Sequence, residues 1–154
     1  MSNTLYDTDF NLWIENTIQS LENGDFQSLD LHNLIEELKD LGKSEKNALS
    51  SNLMILLAHL LKIKIQVDAP DFMSNIWYNS VDEHRQIVKF QLSKTPSLKS
   101  YIQIAINTAY ADGRKLAIKE GKRAKFAVSI PPESAYPLSC PFTLEEILDE
   151  DFYG

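Results

Sequence analysis

Apolar residues recur three and four positions apart along most of the chain, which is the spacing of amphipathic helices. Asp30 is a suitable N-cap for the second of these helices, and Gly42 is suited to a left-handed position just after its end. Asn23-Gly24-Asp25 predicts a break before it. The pattern predicts five long helices and one short one, over residues 8–22, 30–41, 45–65, 71–92, 97–120 and 143–149.

The third predicted helix is the most apolar part of the chain. Its second half, LMILLAHLLKI, is apolar on nearly every side, which is typical of a helix surrounded by other elements. We therefore predict an all-α, single-domain bundle of about five antiparallel helices plus a short carboxy-terminal one. The domain is expected to span 1–154, with the bundle core in 1–120 and a proline-rich extended segment wrapped on its surface in 121–154.

Length and cysteine content favour an ordinary intracellular domain. A chain of 154 residues is long enough to bury a sizeable core without disulfides or metals. Cys140 is the single cysteine, so no intrachain disulfide forms, which favours a reducing compartment. The amino terminus lacks the basic and apolar regions of a secretory signal, and the apolar run ends at Lys62, short of the ~20 residues that span a membrane. The predicted location is the cytoplasm, without a membrane partner.

The formal net charge of −7 makes nucleic acid an unlikely partner for the molecule as a whole. One basic cluster stands against this trend, near the end of the fifth predicted helix. Two hypotheses follow: the cluster binds nucleic acid, or acids of the carboxy-terminal tail neutralise it, which we favour. The cluster comprises Arg114, Lys115, Lys119, Lys122, Arg123 and Lys125.

Histidines on two different helices raise the possibility of a metal site. His59 and His84, with Glu83 as a carboxylate ligand, are residue types that first-row metals accept. The Glu-x-x-His pairs of di-iron bundles are absent, however, and the favoured interpretation of His59 is a core histidine bonded to a neighbouring helix. Cys140 has no histidine nearby in sequence, and no glycine-rich phosphate loop occurs. No catalytic residue and no cofactor are predicted.

Trp13 and Trp77 lie on the apolar faces of their helices, so both are predicted first as core residues. The alternative is that they anchor a protein partner, a role that tryptophan and arginine often have, and Arg85 is the third candidate for that surface.

Five blocks of sequence together resemble a known family. The chain is similar over nearly its whole length to the largely cyanobacterial domain-of-unknown-function family 29. This resemblance implies an all-helical single domain and transfers no activity or catalytic residues. One segment, IKIQVDAPDFMSNIWYN, is poorer in arginine than the family pattern. The blocks are YDTDFNLWIE, LDLHNLIEELKDLGKSEKNAL, LLAHLLK, PSLKSYI and CPFTLEEILDEDF.

The predicted function is a protein-interaction or regulatory module that binds a protein partner or associates with itself. Two alternatives remain open at this point. One is a metal-dependent hydrolase or oxidoreductase that uses His59 and His84, and the other is a nucleic-acid-associated factor that uses the basic cluster.

Overall fold

The computed structural model describes residues 4–123 and 129–154, and none of these residues forms a strand. Two 3₁₀ turns, Pro96–Ser100 and Glu133–Ala135, join or follow the longer helices. The all-α prediction is confirmed. The α-helices are α1 (Leu5–Thr8), α2 (Phe10–Glu22), α3 (Leu31–Ile65), α4 (Asp71–Lys94), α5 (Ile102–Gly121) and α6 (Leu144–Leu148).

Helix α3 replaces two of the predicted helices, so the predicted break at Gly42 is wrong. Gly42 keeps a helical backbone, because glycine permits the left-handed region without requiring it. No proline follows it, and the ion pairs Lys39–Glu36 and Lys43–Asp40 each join one turn of helix beside it. Such pairs favour helix continuation by a few tenths of a kcal/mol, of order 0.2–0.5 each.

The chain divides into two compact units, the amino-terminal unit (Met1–Ser44) and the carboxy-terminal unit (Glu45–Gly154). Helix α3 contributes its first part to one unit and its remainder to the other. The prediction of one domain over 1–154 stays a prediction.

The core of the carboxy-terminal unit is built on α3, whose leucines from Leu49 to Leu61 are fully buried. Helix α5 approaches α3 closely at Gly113, where an added Cβ would lie 2.8 Å from the main-chain oxygen of Met54. Ala105 and Ala109 on α5 are also buried, as their small size suggests. This close approach leaves no room for a larger side chain at position 113.

Residues 129–143, which precede α6, pack along this unit and contain no α-helix. Tyr136, Phe142 and Ile147 are buried in the core. The Tyr110 hydroxyl donates to the main-chain oxygen of Pro137 at 2.5 Å, which fixes the segment on α5. Part of the predicted extended segment, residues 124–128, lies outside the described residues.

Helix α3 is long and apolar enough to meet the length and hydropathy criteria for a membrane span. The core helix of a soluble protein meets the same criteria, and the buried leucines of α3 have that role in the carboxy-terminal unit.

Candidate protein-interaction surface

The amino-terminal unit contains α1, α2 and the start of α3, and polar side chains cap the starts of α2 and α3. The Asp9 carboxylate accepts from the Leu12 amide at 3.1 Å and caps α2. Gly24 turns the chain after α2 with a φ of 69°. Asp30 then accepts from the Asn33 amide at 3.3 Å and caps α3, as the sequence predicts. These caps fix where α2 and α3 begin, and side chains of both helices line one groove.

An apolar groove runs along this unit. Its walls are side chains that the sequence assigns to the inner faces of two helices, yet they remain in contact with solvent: Leu38 is 60% exposed and Leu41 is 64% exposed. Trp13 is the one buried hydrophobic residue among the described residues of this unit. The groove is lined by Phe10, Trp13, Ile14, Thr17, Ile18, Leu21, Leu34, Glu37, Leu38 and Leu41.

Three aromatic rings support one end of the groove. Tyr6 meets Phe10 and Trp13 edge-on, with ring centroids 5.5 and 5.0 Å apart, and Phe10 stacks on Trp13 at 5.6 Å. The Tyr6 hydroxyl donates to Glu37 Oε1 at 2.6 Å, which ties α1 to α3 within the unit. This hydrogen bond is the main reason that the pKa of Tyr6 rises to about 12. The phenol therefore stays protonated and the contact persists at neutral pH.

A polar cavity adjoins Trp13 in the same unit, lined among others by Asn16, Ser20 and Ser28. The Trp13 indole N–H is buried without a well-formed hydrogen bond. It lies beside the Asp30 carboxylate, whose pKa is lowered chiefly by the Asn33 amide and to a smaller extent by this indole. The surface around Trp13 is therefore apolar on the groove side and polar at this cavity.

The structure brings His59 and His84 together across α3 and α4, around the Ser80 hydroxyl. Ser80 Oγ lies 3.1 Å from His59 Nδ1 and 3.3 Å from His84 Nδ1. Each Nδ1 also lies within hydrogen-bond distance of the carbonyl one turn earlier, Ile55 at 2.9 Å and Ser80 at 2.8 Å. Because a carbonyl only accepts, both Nδ1 atoms carry hydrogen and neither can take a proton from Ser80.

The third ligand that a metal site needs does not join these imidazoles. Glu83 is exposed, and the described part of the chain holds no group of three or more His, Cys, Asp or Glu side chains placed to hold one metal ion. Burial, together with Lys62 and His84, lowers the pKa of His59 to about 4, so this ring is neutral at pH 7. His59 is thus a half-buried histidine that bonds its own helix at Ile55 and contacts the neighbouring helix through Ser80.

Trp77 and Arg85 are buried in the carboxy-terminal unit, and the burial of Trp77 agrees with its first prediction as a core residue. Trp77 is 6% exposed and lies under Lys62 Nζ, 5.7 Å from the ring centroid. Burial lowers the pKa of Lys62 to about 8, while its ion pair with Glu120 favours the charged form. Arg85 is also buried, and its guanidinium donates to the main-chain oxygens of Ile147 and Phe152, at 2.8 and 2.6 Å.

The family model described as "Domain of unknown function DUF29" matches residues 5–153, nearly the whole chain. The chain belongs to the DUF29 family. No curated protein and no solved structure matches it. Family membership agrees with the resemblance in the sequence and adds no activity to it.

The basic cluster of this DUF29 chain is partly occupied by its own carboxy-terminal segment. Lys122 pairs with Glu133 at 2.7 Å, and Arg114 donates to the main-chain oxygens of Tyr136 and Glu133 at 3.1 and 3.2 Å. Lys115 pairs with Asp112 at 4.0 Å. Lys119 and Arg123 are exposed, and Lys125 lies outside the described residues. Internal neutralisation, the favoured hypothesis, accounts for the pairing of Lys122.

Sequence reasoning assigns the apolar stripes of α2 and of the start of α3 to a core, and so misses the groove of this DUF29 chain. Trp13 is the one predicted partner-binding residue that lines it. The charge distribution along the sequence does distinguish the part of the chain that contains the groove. Residues 1–44 contain nine acids and two bases, so they carry the whole net charge of −7, while residues 45–154 contain thirteen of each.

Proposed function

We propose that this protein is a protein-interaction module, whose amino-terminal unit binds an amphipathic helix of another polypeptide in the apolar groove. The observation that carries the proposal is the exposure of large apolar side chains on two adjacent helices. Nine such residues of the unit are exposed among those described: Phe10, Leu12, Ile18, Leu21, Phe26, Leu31, Ile35, Leu38 and Leu41.

The small size of the amino-terminal unit favours stabilisation by a partner that covers its apolar groove. A segment of 44 residues is near the limit below which chains usually depend on metals, disulfides or association for stability. Trp13 alone among its described hydrophobic residues is buried, so the unit has little core of its own. A bound helix would remove the groove from water, at roughly 25 cal/mol per Å² of apolar surface.

The shape of the groove favours a helix as the occupant. Its walls are two helix faces with apolar residues at a spacing of three and four, and an amphipathic helix presents matching anchors at the same spacing. Helix α2 has 13 residues, which corresponds to ~20 Å at 1.5 Å per residue. A partner helix of about three to four turns fits that length.

Charge disfavours a second copy of the chain as that occupant. Two amino-terminal units face to face would bring together two surfaces that each carry −7. A different polypeptide without this excess of acids avoids the repulsion.

The test measures binding of an 18-residue amphipathic peptide with a leucine stripe and glutamine on its polar face. We expect Leu38→Gln to weaken binding at least tenfold, because a polar group replaces an apolar wall. Ile104→Gln is the matched control, since Ile104 is equally exposed, at 59%, on α5 of the other unit. It should leave binding unchanged.

Several results would overturn the proposal. Absence of peptide binding, or equal weakening by both variants, contradicts the groove as the site. If light scattering finds a dimer that Leu38→Gln makes monomeric, a second copy is the occupant. If the chain is monomeric and Leu38→Gln lowers its stability by more than about 2 kcal/mol, the groove is covered within one chain.

A further inference from the structure

The charge around the groove identifies the chemistry of its partner, and this inference rests on the proposed function. All of the excess negative charge of the chain lies in the amino-terminal unit. The two bases of that unit are already used, because Lys39 pairs with Glu36 at 2.9 Å and Lys43 with Asp40 at 3.9 Å. Across the described residues of the unit, the other seven acids have no ion pair.

Both helices of the groove carry carboxylates close to its apolar residues. On α2, Glu15 and Glu22 are three residues before and four residues after Ile18, so all three share one side of the helix. Both acids are exposed. On α3, Glu37 lines the groove directly, four residues before Leu41. We therefore expect an occupant of the groove to meet negative charge from both helices.

The Glu37 carboxylate is held in position. Its Oε1 accepts from the Tyr6 hydroxyl, and Tyr6 in turn is fixed by its ring contacts with Phe10 and Trp13. A carboxylate with two oxygens accepts several hydrogen bonds, so this contact leaves Glu37 free to accept from a cation as well.

We propose that the partner is a basic amphipathic helix, with lysine or arginine on both flanks of its apolar stripe. The apolar stripe fills the groove between α2 and α3, and the flanking cations face Glu15 and Glu22 on one side and Glu37 on the other. Complementary charge at the rim of an interface acts mainly on the association rate and on selection against wrong partners. Acidic helices are excluded by the same carboxylates.

The test compares three 18-residue peptides that share one leucine stripe and carry lysine, glutamine or glutamate at all polar positions. At 50 mM salt we expect the lysine peptide to bind at least tenfold more tightly than the glutamine peptide, and the glutamate peptide to bind most weakly. At 500 mM salt the tenfold difference should fall to less than threefold, because exposed charges are screened.

Two triple variants locate the effect. Glu15→Gln/Glu22→Gln/Glu37→Gln should remove most of the preference for the lysine peptide. The preference is measured as the ratio of the dissociation constants of the glutamine and lysine peptides, so that a change in the groove common to both peptides cancels. The control Glu83→Gln/Glu145→Gln/Asp151→Asn removes the same amount of charge from exposed positions of the carboxy-terminal unit and should retain the preference.

The outcomes separate this inference from the function beneath it. If the glutamine peptide binds and the lysine peptide binds no more tightly, the basic partner is wrong and the interaction module stands. If the control variant loses as much preference as the rim variant, the attraction is general and the inference also fails. If none of the three peptides binds, the proposed function itself is wrong.

Discussion

Leu38 and Leu57 are the same residue type on the same helix, but 60% of Leu38 is exposed and Leu57 is fully buried. The first lies in the amino-terminal unit, where Trp13 is the only buried hydrophobic residue among those described. The second lies in the carboxy-terminal unit, which holds the other buried hydrophobic residues of the described chain. The difference shows that an amphipathic pattern identifies a face to be covered without identifying what covers it.

The largest expected effect tests that difference directly. Leu57→Ala should lower the free energy of unfolding by about 3 kcal/mol, because it opens a cavity in a packed core. Leu38→Ala, the same change on the same helix, should cost less than about 0.5 kcal/mol, since its side chain is largely in water already. Urea unfolding followed by circular dichroism measures both. Similar costs for the two variants would mean that the groove is covered.

Arg85 tests how the carboxy-terminal unit holds its last segment. Arg85→Gln should cost about 2 kcal/mol, because the carbonyls of Ile147 and Phe152 lose a charged donor. Lys99→Gln, at an exposed position of the same unit, is the control and should have little effect. Urea unfolding measures both, and limited proteolysis should cleave the segment after α6 faster in the Arg85 variant. Unchanged stability and cleavage would show that the apolar contacts of Phe142 and Ile147 hold the last segment in place without Arg85.

Much of the fold follows from local signals in the sequence. The cap at Asp30 is encoded within a few residues of where it acts, and the structure bears it out. Asp9 and Thr143 cap α2 and α6 in the same local way, and Pro70 directly precedes α4. Gly42 is the exception. A glycine there is compatible with both a helix end and a helix interior, and no local signal distinguishes the two.

The candidate site was less predictable, because it depends on which faces meet. The paired imidazoles of His59 and His84 and the burial of Arg85 both arise from contacts between segments far apart in sequence. The groove is predicted as apolar helix faces, but its exposure depends on the absence of a covering element. Only the concentration of net charge in residues 1–44 distinguished the two units in advance.

Two glycines in different helices, Gly113 of α5 and Gly42 of α3, should respond to alanine substitution in opposite directions. Gly113→Ala should cost about 1–3 kcal/mol, because its Cβ would lie 2.8 Å from the main-chain oxygen of Met54. Gly42→Ala should instead stabilise α3 by about 0.5–1 kcal/mol, since nothing lies within 4 Å of its Cβ and alanine loses less entropy in a helix. Thermal unfolding measures both. A loss of stability in Gly42→Ala would show that the last residues of the amino-terminal unit need glycine.

The smallest expected effect is a pH dependence that belongs to the carboxy-terminal unit alone. The folded pKa of His59, about 4, lies below its ordinary value of 6.5, so the unfolded chain binds a proton first as the pH falls. Stability should therefore decrease on acidification through the window from about 6.5 to about 4, by less than about 1 kcal/mol between pH 7 and 5.5 because the ring is only partly buried. His59→Gln should flatten this part of the profile, whereas His32→Gln, exposed in the amino-terminal unit, should not change it.

The upper part of the pH window is the informative one, because the carboxylates whose pKa values are lowered, such as Asp68 and Glu133, affect stability only at lower pH. If both histidine variants keep the wild-type profile between pH 7 and 5.5, the His59 ring is hydrated in the folded chain. Its burial against Ser80 and Ile55 then contributes nothing to the pH dependence of the free energy of unfolding.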